Sequence, residues 1–472
     1  MKAWCGYLTF FASLTLGRGL GELPSFRAAT KEAAQDAANM MGAKWWTQVG
    51  RHVYTAPTED NGLSDRVEDY YCAMGSDDAL TDSMREKRVG GEGRWHIFHL
   101  PQGPSSLGIT SKGGRRSAFS SLVQLRSGAV LNIMFPAYTP QQPCASASGR
   151  LGGMEAAAVA RLTAGSFMST LQEVVALGNS DGVVTRSYQD SSGQDAAQKY
   201  IQKQFKAAGI PTCLQKFGSN TQLAQNNVLG VIPGASGEKG TITLGAHYDS
   251  RPFTGAAPGA EDNGSGLAAL ISIAKAYAAS GIKPQKTIYF VGFAAEEPGC
   301  LGSDWFAKQL KAGKTVPELC HAEDTGARSF LQVHRGPEDQ GNFTAQGPGG
   351  DDHHAAIALD EVGWLSPKYS KGTVNLESYD WSSPILDKLA CSSIQHNGDS
   401  LDLVHSNSPF GSDHMSFLMR GIQSALVING DDDGYPNYHK STDTIENVTP
   451  EYANKISKMV MGALVQLAGT RE

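Results

Sequence analysis

Five short segments in the second half of the chain carry acids and histidines of the kind that bind metal ions. They are Gly245-Ala-His247-Tyr-Asp249-Ser250, Gly259-Ala-Glu261-Asp262-Asn263-Gly-Ser-Gly266, Phe293-Ala-Ala-Glu296-Glu297-Pro-Gly299, Leu359-Asp360-Glu-Val-Gly363 and Tyr438-His439-Lys-Ser-Thr-Asp443. One strand-end His or Asp alone reads as a structural hydrogen-bonding group. Five in series read differently, because carboxylates that converge on one pocket without a cation repel each other and lose their charge. The donors are imidazoles and carboxylates, and the chain has no C-x-x-C pair. That chemistry suits zinc, with cobalt or manganese as substitutes. Two histidines (His247, His439) and three carboxylates (Asp262, Glu297, Asp360) fall one ligand short of two separate three-ligand sites. A bridging carboxylate completes the set, and Asp262 is the natural bridge. Two ions under ~4 Å apart activate water and polarise a carbonyl, which is hydrolysis chemistry.

Such a site needs elements that end close together. Apolar runs predict strands at Asn227–Ile232, Thr241–Ala246, Thr287–Phe293, Ala355–Leu359 and Ser424–Ile428. Helix patterns lie before and between them, over Met154–Leu177, Gln194–Ala208, Gly264–Ser280, Gly302–Ala312, Pro384–Leu389 and Ser412–Met419, and Pro450–Leu467 closes the series. Strands that are apolar throughout and separated by helices predict an α/β fold with a mixed, largely parallel central sheet flanked by helices. Sites in such sheets form beyond the carboxyl ends of the strands, where the five segments begin.

The ordered series resembles the co-catalytic di-zinc aminopeptidases typified by secreted bacterial leucyl aminopeptidases, a superfamily that also holds glutamate carboxypeptidases and glutaminyl cyclases. The resemblance covers about Met154–Leu467. It implies two zinc ions per chain, one on His247 and Asp360 and the other on Glu297 and His439, with Asp262 between them. It further implies Glu296 as general base, Asp249 as the carboxylate that orients His247, and a cis bond at Asp262-Asn263. The segment Gly411-Ser412-Asp413-His414 also matches the family, but the oxyanion-binding tyrosine that some relatives carry just upstream is replaced by Pro409 and Phe410. Tyr438, directly before the last histidine, resembles the alternative arrangement and is the expected donor; Tyr435 or a backbone amide are the other candidates. The long Glu297–Asp360 interval holds the run Asp351-Asp-His-His354, read as a surface loop.

The implied activity is metal-dependent hydrolysis that releases N-terminal amino acids from peptides with a free N-terminus. The alternatives are a carboxypeptidase or dipeptidase, a glutaminyl cyclase, and a non-catalytic binding relative. The first needs basic residues that clamp a substrate carboxylate, and no Arg cluster stands near the motifs. The run Glu296-Glu297-Pro-Gly-Cys-Leu-Gly-Ser303 has the peptidase form rather than the cyclase form. A binding relative usually shows ligand substitutions, and this chain shows none.

The 472 residues, 40% hydrophobic and 18% charged, fit an ordinary globular chain with a sizeable core. A net charge of −7 argues against nucleic acid or an anionic membrane as the main partner. Lys2 followed by an apolar stretch from Ala3 to Leu16 reads as a signal peptide (1–20), which predicts a secreted or lumenal protein with no membrane attachment once it is removed. Residues 21–150 read as an accessory region or propeptide with a helix at 28–41 and strands near 95–100 and 129–135, then a linker at 140–153, and 151–472 as the peptidase domain. Six cysteines outside the leader are an even number that an oxidising compartment could pair, with no connectivity readable from their spacing. Asn342 and Asn447 stand in glycosylation sequons. No motif bears on oligomeric state.

Overall fold

The structure, a computed structural model, describes residues 23, 25–27, 38–39, 43–49, 52–57, 63–74, 82–90, 95–102, 123–127, 129–131, 137–144, 149–178, 182–217, 225–235, 237–316, 318–321, 353–406, 409 and 411–470. The expected leader, nearly all of the expected helix at 28–41, Asn342, Phe410 and Asp351-Asp352 lie outside them. The described residues form two compact units, one up to residue 131 and the other from residue 137.

The first unit contains β1 (Ser25–Arg27), β2 (Trp46–Val49), β3 (His52–Thr55), β4 (Tyr70–Met74), α1 (Asp82–Lys87), β5 (Arg88–Gly90), β6 (Trp95–His99), β7 (Val123–Gln124) and β8 (Ala129–Leu131). Its strands pair as β1-β3-β2-β8 and β5-β6-β4-β7. Trp45, Tyr54, Tyr70, Val89 and Ile97 share one small core.

The second unit is built on an eight-stranded sheet, ordered β15-β14-β16-β13-β11-β12-β10-β9. Its strands are β9 (Thr212–Lys216), β10 (Asn226–Ile232), β11 (Thr241–His247), β12 (Thr287–Phe293), β13 (His354–Leu359), β14 (Gly372–Glu377), β15 (Leu401–Ser406) and β16 (Gln423–Asn429). The central four, β16, β13, β11 and β12, run parallel. β10 and β9 continue antiparallel on one side, and on the other β14 turns antiparallel to β16 with β15 parallel to β14. The expected mixed, largely parallel sheet is therefore present.

Period-two alternation explains why the sheet is covered on both faces. Ile288 and Phe290 of β12 join the larger core, whereas Tyr289, Val291 and Phe293 join the other face. The larger core is closed by α2 (Gly149–Val159), α3 (Ala164–Val175), α4 (Ser191–Ala207), α5 (Gly266–Ser280), α8 (Ser383–Asn397) and α10 (Pro450–Ala468). The opposite face is closed by α6 (Leu301–Lys311), the short α7 (Glu318–His321) and α9 (Asp413–Leu418) through Phe306, Leu319 and Phe417.

Three readings from sequence change. The single helix expected over Met154–Leu177 is two, because Thr163 caps a new helix by accepting the Ser166 N–H at 3.1 Å. β9, β14 and β15 are additional strands; β14 buries Thr373, Asn375 and Glu377, polar residues that mask a strand in sequence, and Asn375 donates to Glu377 at 2.8 Å. The end of the acid-histidine run is no surface loop: His354 opens β13, and its Nδ1 lies 2.8 Å from Thr241 Oγ1. Of the six cysteines, four pair, as Cys144–Cys391 and Cys213–Cys320, and Cys72 and Cys300 stay outside disulfides. The first bond helps fasten 137–144, which overlaps the expected linker 140–153, to α8 within the second unit, and 149–153 of that linker are instead the start of α2. There Tyr138 N–H donates to Leu403 O, and Asp387 accepts the Tyr138 hydroxyl at 2.6 Å and the Gln141 and Gln142 N–H groups.

Candidate metal centre

Because β11, β12, β13 and β16 run the same way, their carboxyl ends open on one edge of the sheet. His247 ends β11, Glu296 and Glu297 follow β12, Asp360 follows β13, and His439 lies in the loop after β16. Asp262 sits between β11 and α5, and its bond to Asn263 is cis, as the resemblance implies. Asn263 then locks the loop: its Oδ1 accepts the Gly266 N–H at the start of α5 (2.9 Å), and its Nδ2 donates to Leu359 O at the end of β13 (2.8 Å). Gly259 is required at φ +52, since a Cβ there would stand 2.5 Å from Asp262 O. Ala295, Glu361 and His439 also adopt positive φ (54, 47 and 58°). Each such non-glycine position costs on the order of 1–3 kcal/mol, strain that concentrates where ligands are aimed.

The side chains converge. His247 Nε2 lies 3.3 Å from Asp360 Oδ1 and 3.5 Å from Asp262 Oδ1. His439 Nε2 lies 3.2 Å from Asp262 Oδ2 and 3.1 Å from Glu297 Oε2. The two oxygens of Asp262 thus face different histidines, and two ligand groups, His247-Asp262-Asp360 and Asp262-Glu297-His439, share that one residue. Glu296 belongs to neither; its Oε2 stands 3.9 Å from His247 Nε2. Asp249 accepts the Glu296 N–H on Oδ1 (3.0 Å) and the Glu297 N–H on Oδ2 (3.1 Å). His247 Nδ1 faces the same residue, 3.2 Å from its carbonyl oxygen and 3.5 Å from Oδ1. With the ring proton directed there, Nε2 is left as the donor to a metal.

Tyr438 stacks its ring on His439, centroids 3.6 Å apart. Tyr435, the alternative donor, commits its hydroxyl to Asp443 at 2.6 Å. Asn447, in the other sequon, binds its side chain into the same loop: its amide donates to Thr442 O (2.9 Å) and its oxygen accepts from Asn437 (3.1 Å).

Several site residues escape the sequence. Ser412 donates to Asp360 Oδ2 at 2.8 Å and Asp443 accepts backbone amides beside Asp262; both stand inside quoted motifs, but no spacing rule assigns those bonds. Arg251 pairs its Nε with Glu297 Oε2 at 3.1 Å, lies 3.3 Å from His439 Nδ1, and stacks on Phe253 at 3.9 Å. Arg186, fully buried, donates to the carbonyls of Tyr248 (2.9 Å), Pro258 (2.7 Å) and Gly259 (2.8 Å), bracing the turn before Asp262. Cys300 donates its thiol to Glu296 Oε1 at 3.3 Å.

Burial, with Glu297, Asp413 and Asp360 nearby, pushes Glu296 well above the usual carboxylate range against the pull of His247. Burial likewise raises Glu297, and pushes Asp413 up to about 7 with Asp360 and Asp249 adding to it. Burial opposes charge on His247 and His439, yet the surrounding carboxylates outweigh it and raise both. Acids and histidines both pushed up in one buried pocket mark a concentration of negative charge that a cation would offset. Glu297 Oε1 is buried with no hydrogen-bond partner. The donor set therefore fits cations with borderline N/O preference such as zinc.

Fold and site together define a metallopeptidase of the zinc aminopeptidase architecture. The model of peptidase family M28 matches residues 227–464, and the chain belongs to that family. Among similar proteins, the probable leucine aminopeptidase of Trichophyton verrucosum is 28% identical over 327 residues, covering 66% of this chain and 73% of the relative. Aminopeptidase YwaD of Bacillus subtilis is 29% identical over 259 residues, 53% of this chain and 46% of its own. The LapA aminopeptidase of Legionella pneumophila shares the fold at a TM-score of 0.54 and 18% identity, over 85% of this chain and 99% of its own.

Proposed function

We propose that this protein is a di-zinc aminopeptidase that removes N-terminal residues from peptides. The observation that carries the reading is the pair of ligand groups that share Asp262, with Glu296 beside them and outside both. His247 and Asp360 would hold one ion, Glu297 and His439 the other, and Asp262 both. When bound, the ions supply Lewis acidity toward a carbonyl and a lowered pKa for water. Glu296 takes the proton of the attacking water and returns it to the leaving amine. Asp249 keeps that carboxylate in place through the Glu296 and Glu297 amides. Ser412 restrains Asp360, and Tyr438 is the donor toward the charge that develops on the carbonyl oxygen. Arg251, engaged with Glu297 and Phe253, is not offered to a substrate carboxylate, which disfavours carboxypeptidase or dipeptidase action.

The two disulfides support an oxidising, secretory location, and no helix among the described residues is long and apolar enough to cross a membrane. The test is zinc titration of chelator-stripped protein. Activity on a leucine p-nitroanilide should rise to a plateau at two equivalents; a plateau at one, or activity without metal, contradicts the reading.

A further inference from the structure

Two loops at the site carry consecutive acids, Glu296-Glu297 and Glu261-Asp262, and one device holds both. Asp249 accepts the Glu296 and Glu297 N–H groups, one on each carboxylate oxygen. Asp443 accepts the Glu261 N–H on Oδ1 and the Asp262 N–H on Oδ2, each at 3.0 Å. Its backbone carbonyl takes a third amide from the same loop, Ala260 N–H at 3.1 Å. The Tyr435 hydroxyl donates to Asp443 Oδ1 at 2.6 Å, and both residues are buried.

Tyr435 and Asp443 stand on either side of His439 in one loop. The three amide bonds therefore fasten the loop that carries His439 to the loop that carries Asp262. Those two ligands meet at 3.2 Å, Nε2 to Oδ2. A bond from an ionised carboxylate to a backbone amide is among the stronger and shorter ones, and buried ones are little screened. The spacing of Asp262 and His439 is thus set by a bracket made of backbone and one carboxylate, not by the ligands alone.

We propose that Asp443, held by Tyr435, is the positioning residue for the His439 half of the metal centre, as Asp249 is for the turn bearing Glu296 and Glu297. The proposal rests on the two-ion reading above. Asp443 does not touch substrate; it acts through the backbone of Asp262. Loosening the bracket should weaken the ion held by Glu297 and His439 before the one held by His247 and Asp360, because only the former depends on both tied loops.

The test is competition between the full-length zinc protein and a zinc-sensitive chelating dye, run on wild type, Asp443→Asn and Tyr435→Phe. Turnover is followed against free zinc in the same samples. Asp443→Asn should keep one zinc at wild-type affinity and hold the other about 10- to 100-fold more weakly. Its lost kcat should return at high free zinc. Tyr435→Phe, which keeps the carboxylate and its amide bonds, should shift the same zinc in the same direction by less, and it carries the test if Asp443→Asn does not fold. Two zincs bound by both variants with wild-type affinity, together with a lower melting temperature and a kcat indifferent to added zinc, would show a merely structural role and overturn the proposal. Wild type that holds a single zinc overturns the two-ion reading, and the bracket's assigned role with it.

Discussion

Glu296→Gln and Glu297→Ala alter adjacent residues on one turn, and the structure gives them opposite consequences. Both amides of the turn are held by Asp249, so neither substitution releases the backbone. Glutamine at 296 preserves volume and takes no candidate ligand away; what it removes is the carboxylate proposed to take a proton. General-base loss lowers kcat by ~10²- to 10⁴-fold, with zinc content and melting temperature near wild type. Alanine at 297 does more. The side chain is 2% exposed and faces Arg251 Nε and His439 Nε2, each at 3.1 Å. Its removal strips a ligand and takes the carboxylate from a buried guanidinium, a change that destabilises by about 3–5 kcal/mol when a buried pair is broken. Zinc analysis after dialysis, urea melts and p-nitroanilide turnover on both variants separate the effects. Equal zinc loss in the two variants would show that the neighbouring acids have been given each other's roles.

Tyr438→Phe should keep both zincs and the stacking on His439 but lower kcat by ~10- to 10³-fold; turnover equal to the parent would remove Tyr438 as the donor. Deleting residues 1–133 should leave a soluble, zinc-binding second unit, whereas extending the cut through Pro143 removes the Tyr138–Asp387 and Tyr138–Leu403 bonds and should lower its melting temperature. An insoluble, metal-free 134–472 fragment would mean that this unit does not fold alone. His414 is fully buried and held down to about 3 by desolvation. A histidine whose folded pKa is lowered stabilises fully above its unfolded value near 6.5, and that contribution is lost as pH falls toward 3. His414→Leu should therefore show a shallower fall of stability with pH across that window than wild type; parallel curves would place the acid sensitivity elsewhere.

Three of the candidate ligands, His247, Glu297 and Asp360, were legible because each sits at or just after the end of a strand whose apolar run is readable, so the motif and the element that aims it are neighbours in sequence. His247 at the end of β11 and Asp360 after β13 are of this kind. The bracketing residues are not. Asp443 contacts Glu261 and Asp262 across some 180 positions, and Arg186 reaches Pro258 and Gly259 across about 70, contacts that exist only once the sheet has assembled. β14 was hidden for a related reason: its Thr, Asn and Glu are buried by partners that no local pattern announces. The split between α2 and α3, by contrast, has a local signal in Thr163, outweighed by the apolar run on both sides of it.

What the protein releases, and what it needs in order to do so, tests the proposed activity most directly. Wild-type protein should liberate p-nitroaniline from amino-acid p-nitroanilides, lose that activity to a zinc chelator, regain it with added zinc, and leave N-acetylated equivalents untouched. Chelator-resistant turnover, or equal turnover of free and N-blocked substrates, would contradict it.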